Sequence, residues 1–381
     1  DKRTLSRQEF WDKCYNFALF WMEEQKKQFK KLAIFADYEK NFYATFFEKE
    51  SVGIVECIHH FVQHGYLKQE YKPVLWSYVE KTALAYAEVD YKQKESDSIY
   101  ISFKVSKTDL EELKDVNLLV WTTTPWTLPA NETVSFNEKF NYVIFEVDGV
   151  KYCCEENLLK NVQAFFNEIK IEKTLKGFAF KNTYVLHCLS QFQQNEKLLL
   201  HSNHVDNEKG TGFVHIAPAH GEEDFQLAKK NNLNIVDLLN KDGFFVQEVP
   251  LVGAESVKEA QLIVLEELKK QNVLIHHEKF MHSYPHSWRS KAPLIYRLTK
   301  QWFLNMKPIK EKALKLASDE KLNWIPYEGK NRFLSMLEQR NDWCISRQRI
   351  WGVPIAIFYN EKTGEVIKDE VFLEKTRKKI E

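Results

Sequence analysis

A threonine-rich segment containing two prolines constrains this chain more than any other. Residues 120–131 read Val-Trp-Thr-Thr-Thr-Pro-Trp-Thr-Leu-Pro-Ala-Asn. The preceding run, residues 117–121, is rich in apolar, β-branched and aromatic side chains and predicts a buried strand. Pro125 and Pro129 lack a backbone N–H and end any regular ladder. We therefore expect a rigid, hydroxyl-rich loop that leaves the end of a core strand.

Two interpretations of this loop remain open from the residues alone. The hydroxyls could hold a polar ligand or a water molecule, and the indoles of Trp121 and Trp126 could cover a sugar or a base. Alternatively, the threonines satisfy only their own backbone, as is common for a Thr-Thr pair at a turn.

A second dense segment, residues 210–225, reads Gly-Thr-Gly-Phe-Val-His-Ile-Ala-Pro-Ala-His-Gly-Glu-Glu-Asp-Phe. Its glycines predict a tight turn before a short strand, and Pro218 ends that strand. A helix is expected from Gly221, because acids in its first turn favour the positive end of the helix dipole. Asp224 would then point back toward the strand end that carries His215.

Three roles are possible for this second segment. Glu222, Glu223 and Asp224 could be ordinary helix N-terminal charges. His215, His220 and Asp224 could bind a metal, although their spacing matches no standard zinc pattern. A fixed carboxylate could instead pair with the ammonium group of an aminoacyl substrate.

The remaining sequence alternates between helical and strand-like patterns. We expect helices at residues 7–32, with an apolar stripe in the core, and at 51–65, 156–167, 255–271, 309–318 and 331–340. We expect strands at 98–105, 117–121, 142–147, 184–189 and 273–280, and a strand and turn over 72–85. The pattern predicts a β-rich domain, residues 93–280, inserted between residues 1–92 and 281–381.

Both dense segments resemble the editing motifs of isoleucyl-tRNA synthetases, which are class I aminoacyl-tRNA synthetases. Residues 282–297, 301–303 and 342–354 resemble the same family, the last through Ser-Arg-Gln-Arg-Ile-Trp-Gly. Ala219 stands where the family more often has Gly. Valyl and leucyl relatives typically carry Arg in place of Thr124 and an acid in place of Trp126.

The resemblance implies an α/β fold in which a β-barrel-like editing domain is inserted between flanking α/β pieces of a Rossmann-type catalytic domain. It also implies site roles. Asp224 would bind the substrate's amino group, His215 would lie at the side-chain pocket, and Trp126 would line the cleft with the threonines Thr122, Thr123 and Thr124. Some members carry cysteines where this chain has Ser77 and Glu80, so we expect no zinc there and no metal for editing.

The two ATP-binding signatures of class I synthetases, His-Ile-Gly-His and Lys-Met-Ser-Lys-Ser, do not occur in residues 1–381. We therefore expect a fragment cut between them, with ATP and Mg²⁺ needed only by the full-length parent. The expected reaction is hydrolysis of valyl-tRNA(Ile), with valyl-adenylate as a second candidate substrate. We expect direct water attack, since no Ser-His-Asp or Cys-His arrangement is evident. The alternatives are an editing region of valyl or leucyl type, a non-catalytic tRNA-binding module, and a complete ligase.

Composition adds limits on partners and compartment. Lys+Arg and Asp+Glu balance at 54 each, so a tRNA acceptor end would need a local basic patch. No apolar run reaches transmembrane length, and the six cysteines show no Cys-x-x-Cys spacing. We expect a cytoplasmic monomer with no membrane partner, whose adjacent Cys153 and Cys154 are buried small hydrophobes.

Overall fold

The computed structural model describes residues 4–319 and 322–380. The chain divides into two compact units. We call Tyr71–Lys300 the insert unit, and Asp1–Glu70 with Gln301–Glu381 the flank unit. The predicted insertion, residues 93–280, lies wholly inside the insert unit.

The elements follow in chain order. The helices are α1 (Arg7–Lys31), α2 (Glu48–Gln63), α3 (Leu159–Gln163), α4 (Glu222–Asn231), α5 (Val257–Lys270), α6 (Lys307–Ala317), α7 (Gly329–Glu338) and α8 (Glu370–Ile380). The strands are β1 (Leu67–Ser77), β2 (Thr82–Ala83), β3 (Val89–Lys107), β4 (Val116–Thr122), β5 (Thr133–Phe136), β6 (Asn141–Val147), β7 (Val150–Glu155), β8 (Lys170–Lys176), β9 (Tyr184–Val185), β10 (Lys197–Leu198), β11 (Leu200–His201), β12 (Val214–Ile216), β13 (Leu274–Ser287), β14 (Ile295–Leu304) and β15 (Trp343–Cys344). No helix among the described residues is long and apolar enough to cross a membrane.

A long antiparallel ribbon of β3 and β13 starts the insert unit. The two strands pair from Val89 opposite Ser287 to Ile101 opposite Leu274. Beyond the ribbon, β3 continues into an eight-stranded sheet of order β10-β9-β3-β4-β7-β6-β8, with β13 paired to β3. The central strands carry fully buried β-branched and aromatic side chains, as at Ile99, Phe103 and Val120. Such side chains pack well on the faces of a sheet.

The β-barrel-like expectation is corrected to a half-barrel, because this sheet does not close. Its order leaves β10 at one end and β8 at the other. The edge strand β8 is mostly exposed and carries Lys170, Lys173 and Lys176. Lysines on an edge strand oppose further strand pairing.

A separate three-stranded sheet of order β11-β5-β12 carries the second dense segment. In it, β12 pairs antiparallel with β5, and His215 lies opposite Val134. All four residues of β5 are buried, so the strand that carries His215 rests on a rigid support.

The flank unit is mainly helical around a small core. Ile58 and Val62 of α2 pack with Leu67 and Leu304. The predicted helix 7–32 is confirmed, but its apolar stripe is only half-buried, and Trp21 is 45% exposed. The strands β14 and β15 pair antiparallel. This pairing does not test the Rossmann-type character of the flanks, which stays a prediction.

Several sequence-based boundaries need correction. The strand predicted over 184–189 is only two residues long, because the Leu189 N–H bonds to His187 Nδ1 instead of a neighbouring strand. The helix predicted over 156–167 is a 3-10 turn, Glu156–Leu158, followed by the short helix α3. The short strand that ends at Pro218 is present as β12. The sequence did not predict the strands β5, β7, β8, β10, β11, β14 and β15. The other predicted helices and strands are present with shifted ends.

Candidate functional site

The threonine-rich loop leaves β4 as predicted and then coils into a 3-10 helix, Pro125–Ala130. Thr122 Oγ1 accepts the Thr124 N–H at 3.1 Å and lies 3.3 Å from Thr124 Oγ1. The Thr122 hydroxyl therefore stabilises its own turn, as the local interpretation expects. Among the described residues, the Thr123 hydroxyl has no hydrogen-bond partner and is half-buried.

A fourth threonine, Thr127, joins this loop to the second segment. Its hydroxyl donates to the Thr124 carbonyl at 2.8 Å, and a carbonyl oxygen can only accept. Thr127 Oγ1 also lies 3.2 Å from His215 Nε2. Because the hydroxyl proton is already committed, Oγ1 accepts from Nε2–H. His215 is thus the neutral tautomer that is protonated on Nε2.

The environment of His215 keeps its ring uncharged. Burial, together with the nearby His187 and His220, lowers the pKa of His215 to about 4. Its Nδ1 is buried and has no hydrogen-bond partner among the described residues. The ring therefore presents one unused acceptor and, near neutral pH, no charge.

The turn before β12 requires both of its glycines. Gly210 has a φ of +76° and lies against the Trp121 ring, which a Cβ would meet at 3.1 Å. Gly212 has a φ of +78°, and a Cβ there would overlap Glu155 Cβ at 2.2 Å. Only glycine combines a backbone in the left-handed region of φ with such close contact to a neighbouring side chain. The two dense segments are thus fixed against each other through Trp121, whose Nε1 donates to Ser98 Oγ.

Asp224 lies in the first turn of α4, with Gly221 as the N-cap residue, as predicted. Its Oδ2 accepts the Ala217 N–H at 2.8 Å, just past the end of β12. Burial raises the pKa of Asp224, and the Ala217 hydrogen bond opposes this rise. One carboxylate oxygen therefore orders the turn, and the other has no hydrogen-bond partner among the described residues.

Trp126 and His220 pack together beside this turn. The Trp126 indole is 5% exposed, and its ring centroid lies 4.9 Å from that of His220 in an edge-to-face arrangement. A ring so buried offers little open face to a sugar or a base. Trp126 can shape the site mainly by supporting His220.

Four of the six predicted residues fall into one group. Thr122, Thr124 and His215 are linked through Thr127, and Asp224 bonds to Ala217, two residues after His215. Thr127 was not predicted as a site residue, although it lies inside the threonine-rich segment. His220 was predicted only as a possible metal ligand, and no group of three or more His, Cys, Asp or Glu residues in the described ranges could hold a metal.

A cavity of about 320 Å³ lies next to this group. It is lined by the residues Pro129, Ala130, Glu132, Phe192, Pro218, Ala219, Asn234, Val236, Leu238, Val246, Glu248, Val249 and Pro250. None of the six predicted site residues lines it. The predicted residues adjoin this cavity through the 129–130 and 218–219 segments without forming its wall.

Comparison with known proteins agrees with the class that the two motifs indicate. The family model described as tRNA synthetases class I (I, L, M and V) matches residues 1–381. The chain therefore belongs to the class I tRNA synthetases of this group.

Within this group, the chain is similar to isoleucine–tRNA ligases. It is 40% identical to that of Pelagibacter ubique (strain HTCC1062), over 97% of this chain and 42% of the relative. It is 37% identical to that of Thermoanaerobacter sp. (strain X514), over 97% of this chain and 40% of the relative. The chain thus spans about two fifths of the length of these curated relatives.

Two solved structures resemble part of the chain. GlLeuRS-CP1 is 14% identical, with a TM-score of 0.41, and the match covers 48% of this chain and 98% of that one. The editing domain of the P. falciparum cytosolic leucyl-tRNA synthetase is 13% identical, with a TM-score of 0.38, and the match covers 49% of this chain and 98% of that one. The family assignment rests on the sequence match over the whole chain.

Proposed function

We propose that this chain is the editing part of an isoleucine–tRNA ligase and hydrolyses valyl-tRNA(Ile). The observation that carries the proposal is the single connected group in which Thr127 holds His215 and Ala217 holds Asp224. The similarity to isoleucine–tRNA ligases supports the same assignment. Valyl-adenylate is a second candidate substrate of the same site.

The chemical need for such a site comes from the small difference between the two amino acids. One methylene is worth only ~1–3 kcal/mol in a hydrophobic pocket, a general limit for which isoleucyl-tRNA synthetases are themselves the standard example. A second site that accepts valine and rejects isoleucine removes the errors that this limit leaves.

Asp224 anchors the substrate in this proposal. Its free carboxylate oxygen pairs with the α-ammonium group, and this pair neutralises a charge that burial alone disfavours. The Ala217 N–H keeps the carboxylate in one orientation. The ester carbonyl is thereby held at a fixed distance from the threonine-rich loop.

Water attacks the ester carbonyl directly, and the terminal adenosine hydroxyl leaves. Thr123, whose hydroxyl is uncommitted, and Thr124, whose hydroxyl lies 3.3 Å and 3.4 Å from those of Thr122 and Thr127, hold the water and the adenosine. Positioning supplies most of the acceleration, because an ester is already an activated substrate.

His215 acts as a wall in this proposal and not as a base. A ring with a pKa of about 4 is a weak base near neutral pH. Its strand and its bond to Thr127 fix the ring in place. A fixed wall rejects the extra methylene of isoleucine by overlap.

The full-length parent would ligate isoleucine to tRNA(Ile) with ATP and Mg²⁺, and the tRNA(Ile) acceptor end would be its partner here. Within the chain, we assign editing to residues 93–280 and the catalytic-domain flanks to residues 1–92 and 281–381. The protein would act as a cytoplasmic monomer.

The test is a deacylation assay of the 381-residue chain with valyl-tRNA(Ile) and isoleucyl-tRNA(Ile). Hydrolysis of the valyl ester alone is expected. Asp224→Asn should abolish most of this activity. Glu222→Gln is the matched control, because the only bond of Glu222 within the described residues is to the exposed Gln226 on the same helix. Binding of both tRNAs without hydrolysis would instead indicate a tRNA-binding module.

Isoleucine-dependent ATP–pyrophosphate exchange should stay at background. Exchange above background would point to a complete ligase. Preferential hydrolysis of threonyl-tRNA(Val) or of a noncognate aminoacyl-tRNA(Leu) would favour a valyl or leucyl type of editing region.

A further inference from the structure

Three imidazole nitrogens near the candidate site are buried without a hydrogen-bond partner among the described residues. They are His204 Nε2, His215 Nδ1 and His220 Nε2. An unpaired buried polar atom is costly unless a ligand or a water molecule completes it. The chemistry of the missing partner depends on whether each nitrogen donates or accepts.

The role of His220 Nε2 is fixed by the other side of the ring. His220 Nδ1 lies 3.0 Å from the Tyr296 carbonyl oxygen, which can only accept. The proton is therefore on Nδ1, and Nε2 of the neutral ring is an acceptor. His204 differs, since its partner is the Ser202 hydroxyl, which can donate or accept. Burial lowers the pKa of His220 to about 4, so the ring stays neutral near pH 7.

His220 and Asp224 stabilise the same turn. The backbone N–H of His220 donates to the Ala217 carbonyl at 2.9 Å, and the backbone N–H of Ala217 donates to Asp224 Oδ2 at 2.8 Å. The Trp126 ring packs against the imidazole from the side. The unused acceptor of His220 is therefore held in a defined orientation on the turn that also orients Asp224.

A buried primary ammonium group has three N–H donors, and each needs an acceptor. Asp224 has one carboxylate oxygen left after bonding to Ala217. We propose that His220 is a further substrate-binding residue, whose Nε2 accepts a second N–H of the α-ammonium group bound by Asp224. This inference rests on the proposed function, because it assigns the ligand of the same site.

Two substitutions separate the two nitrogens of the ring. In His220→Asn, the side-chain amide can still donate to Tyr296, but the acceptor is lost. In His220→Gln, the longer side chain can return an oxygen acceptor near the position of Nε2. His64→Asn is the matched control, because His64 also places Nδ1 2.8 Å from a backbone carbonyl, that of His60, but is exposed.

The measurement is calorimetric binding of two non-hydrolysable probes to the 381-residue chain. One is an amide-linked valyl-adenosine with a free ammonium group, and the other is its α-hydroxy counterpart. His220→Asn should weaken the ammonium probe about tenfold and leave the hydroxy probe unchanged, as for loss of one hydrogen bond from a charged donor. His220→Gln should recover most of the affinity, and His64→Asn should bind like the wild type.

Equal weakening of both probes, or no weakening of either, would overturn the assignment. If the variants do not fold, histidine ¹⁵N spectra of the wild type test it, since the Nε2 signal of His220 should move with the ammonium probe only. An equal response of this signal to both probes, or to neither, would also overturn it. Failure of the proposed function is distinguishable: the wild type would then bind the ammonium probe through His220 yet hydrolyse no valyl-tRNA(Ile).

Discussion

Thr127 Oγ1 and His215 Nε2 lie 3.2 Å apart, and this contact joins two segments separated by 88 positions in the sequence. The Thr127 hydroxyl donates to the Thr124 carbonyl and so accepts from the imidazole. The contact therefore fixes both the position and the tautomer of the ring that we propose as the wall of the pocket.

Thr127→Val should keep the side-chain shape and remove the acceptor. His215 Nε2–H would then be buried without a partner, which destabilises the protein by about 1–3 kcal/mol. Urea unfolding measures this loss, and ¹⁵N spectra should show that the Nε2-protonated tautomer of His215 is no longer dominant. Thr127→Ser, which keeps the hydroxyl, should behave like the wild type in both measurements. A single unchanged tautomer in folded Thr127→Val would contradict the assignment.

Asp224→Ala should remove the ammonium anchor. An unpaired buried cation costs on the order of 3–5 kcal/mol, so deacylation of valyl-tRNA(Ile) should fall by roughly a hundredfold or more. Asp224→Asn separates charge from structure, because an amide oxygen can still accept the Ala217 N–H. We expect the asparagine variant to fold with near-normal stability and to be equally slow. Near-normal hydrolysis by either folded variant would exclude this role for Asp224.

His215→Ala should open the pocket if the ring is a wall. The variant would then hydrolyse correctly charged isoleucyl-tRNA(Ile) and keep much of its activity on valyl-tRNA(Ile). Loss of a general base would instead slow both reactions, by roughly a hundredfold or more. Both deacylation rates, measured on one preparation, decide between the roles. A parallel loss with no gain on the isoleucyl ester would rule out size exclusion.

Three buried histidines should make stability depend on pH. Burial lowers the pKa values of His187, His215 and His220 from 6.5 to about 4. Between these values the unfolded chain binds more protons than the folded chain. The contribution of the three neutral histidines to the free energy of unfolding is therefore fully present above about pH 6.5 and is lost as the pH falls toward 4. From pH 7 to pH 5, each histidine should cost about 2 kcal/mol of unfolding free energy.

Urea unfolding at the two pH values checks this dependence. His187→Gln can keep a donor to the Leu128 carbonyl, which His187 Nε2 contacts at 2.9 Å, but does not titrate. It should reduce the pH dependence due to these histidines by about one third. The same substitution at the exposed His64, His64→Gln, serves as the control for substitution itself. An unchanged slope in His187→Gln would show that this ring is not held neutral in the folded state.

The sequence predicted the ends of helices and strands well where neighbouring residues set those ends. Prolines at 125 and 129 end β4 where predicted, acids after Gly221 begin α4, and the apolar helix 255–271 appears as α5. It was less informative for short strands such as β10 and β11, because their pairing depends on distant segments. The half-barrel also required the structure, since closure depends on how edge strands meet and not on their individual patterns.

The sequence by itself singled out the residues to which we assign the chemistry, since the threonines of 122–124, His215 and Asp224 stand out by their motifs, and these motifs resemble those of the family. Only the tertiary structure decided what those residues are able to do. It committed Thr122 to its own turn, one Asp224 oxygen to Ala217, and His215 Nε2 to Thr127. It also left His220 Nε2 unpaired. The physical reason is that a hydrogen-bonding group is available to a ligand only where the fold has not already satisfied it, and that depends on contacts between segments far apart in the chain.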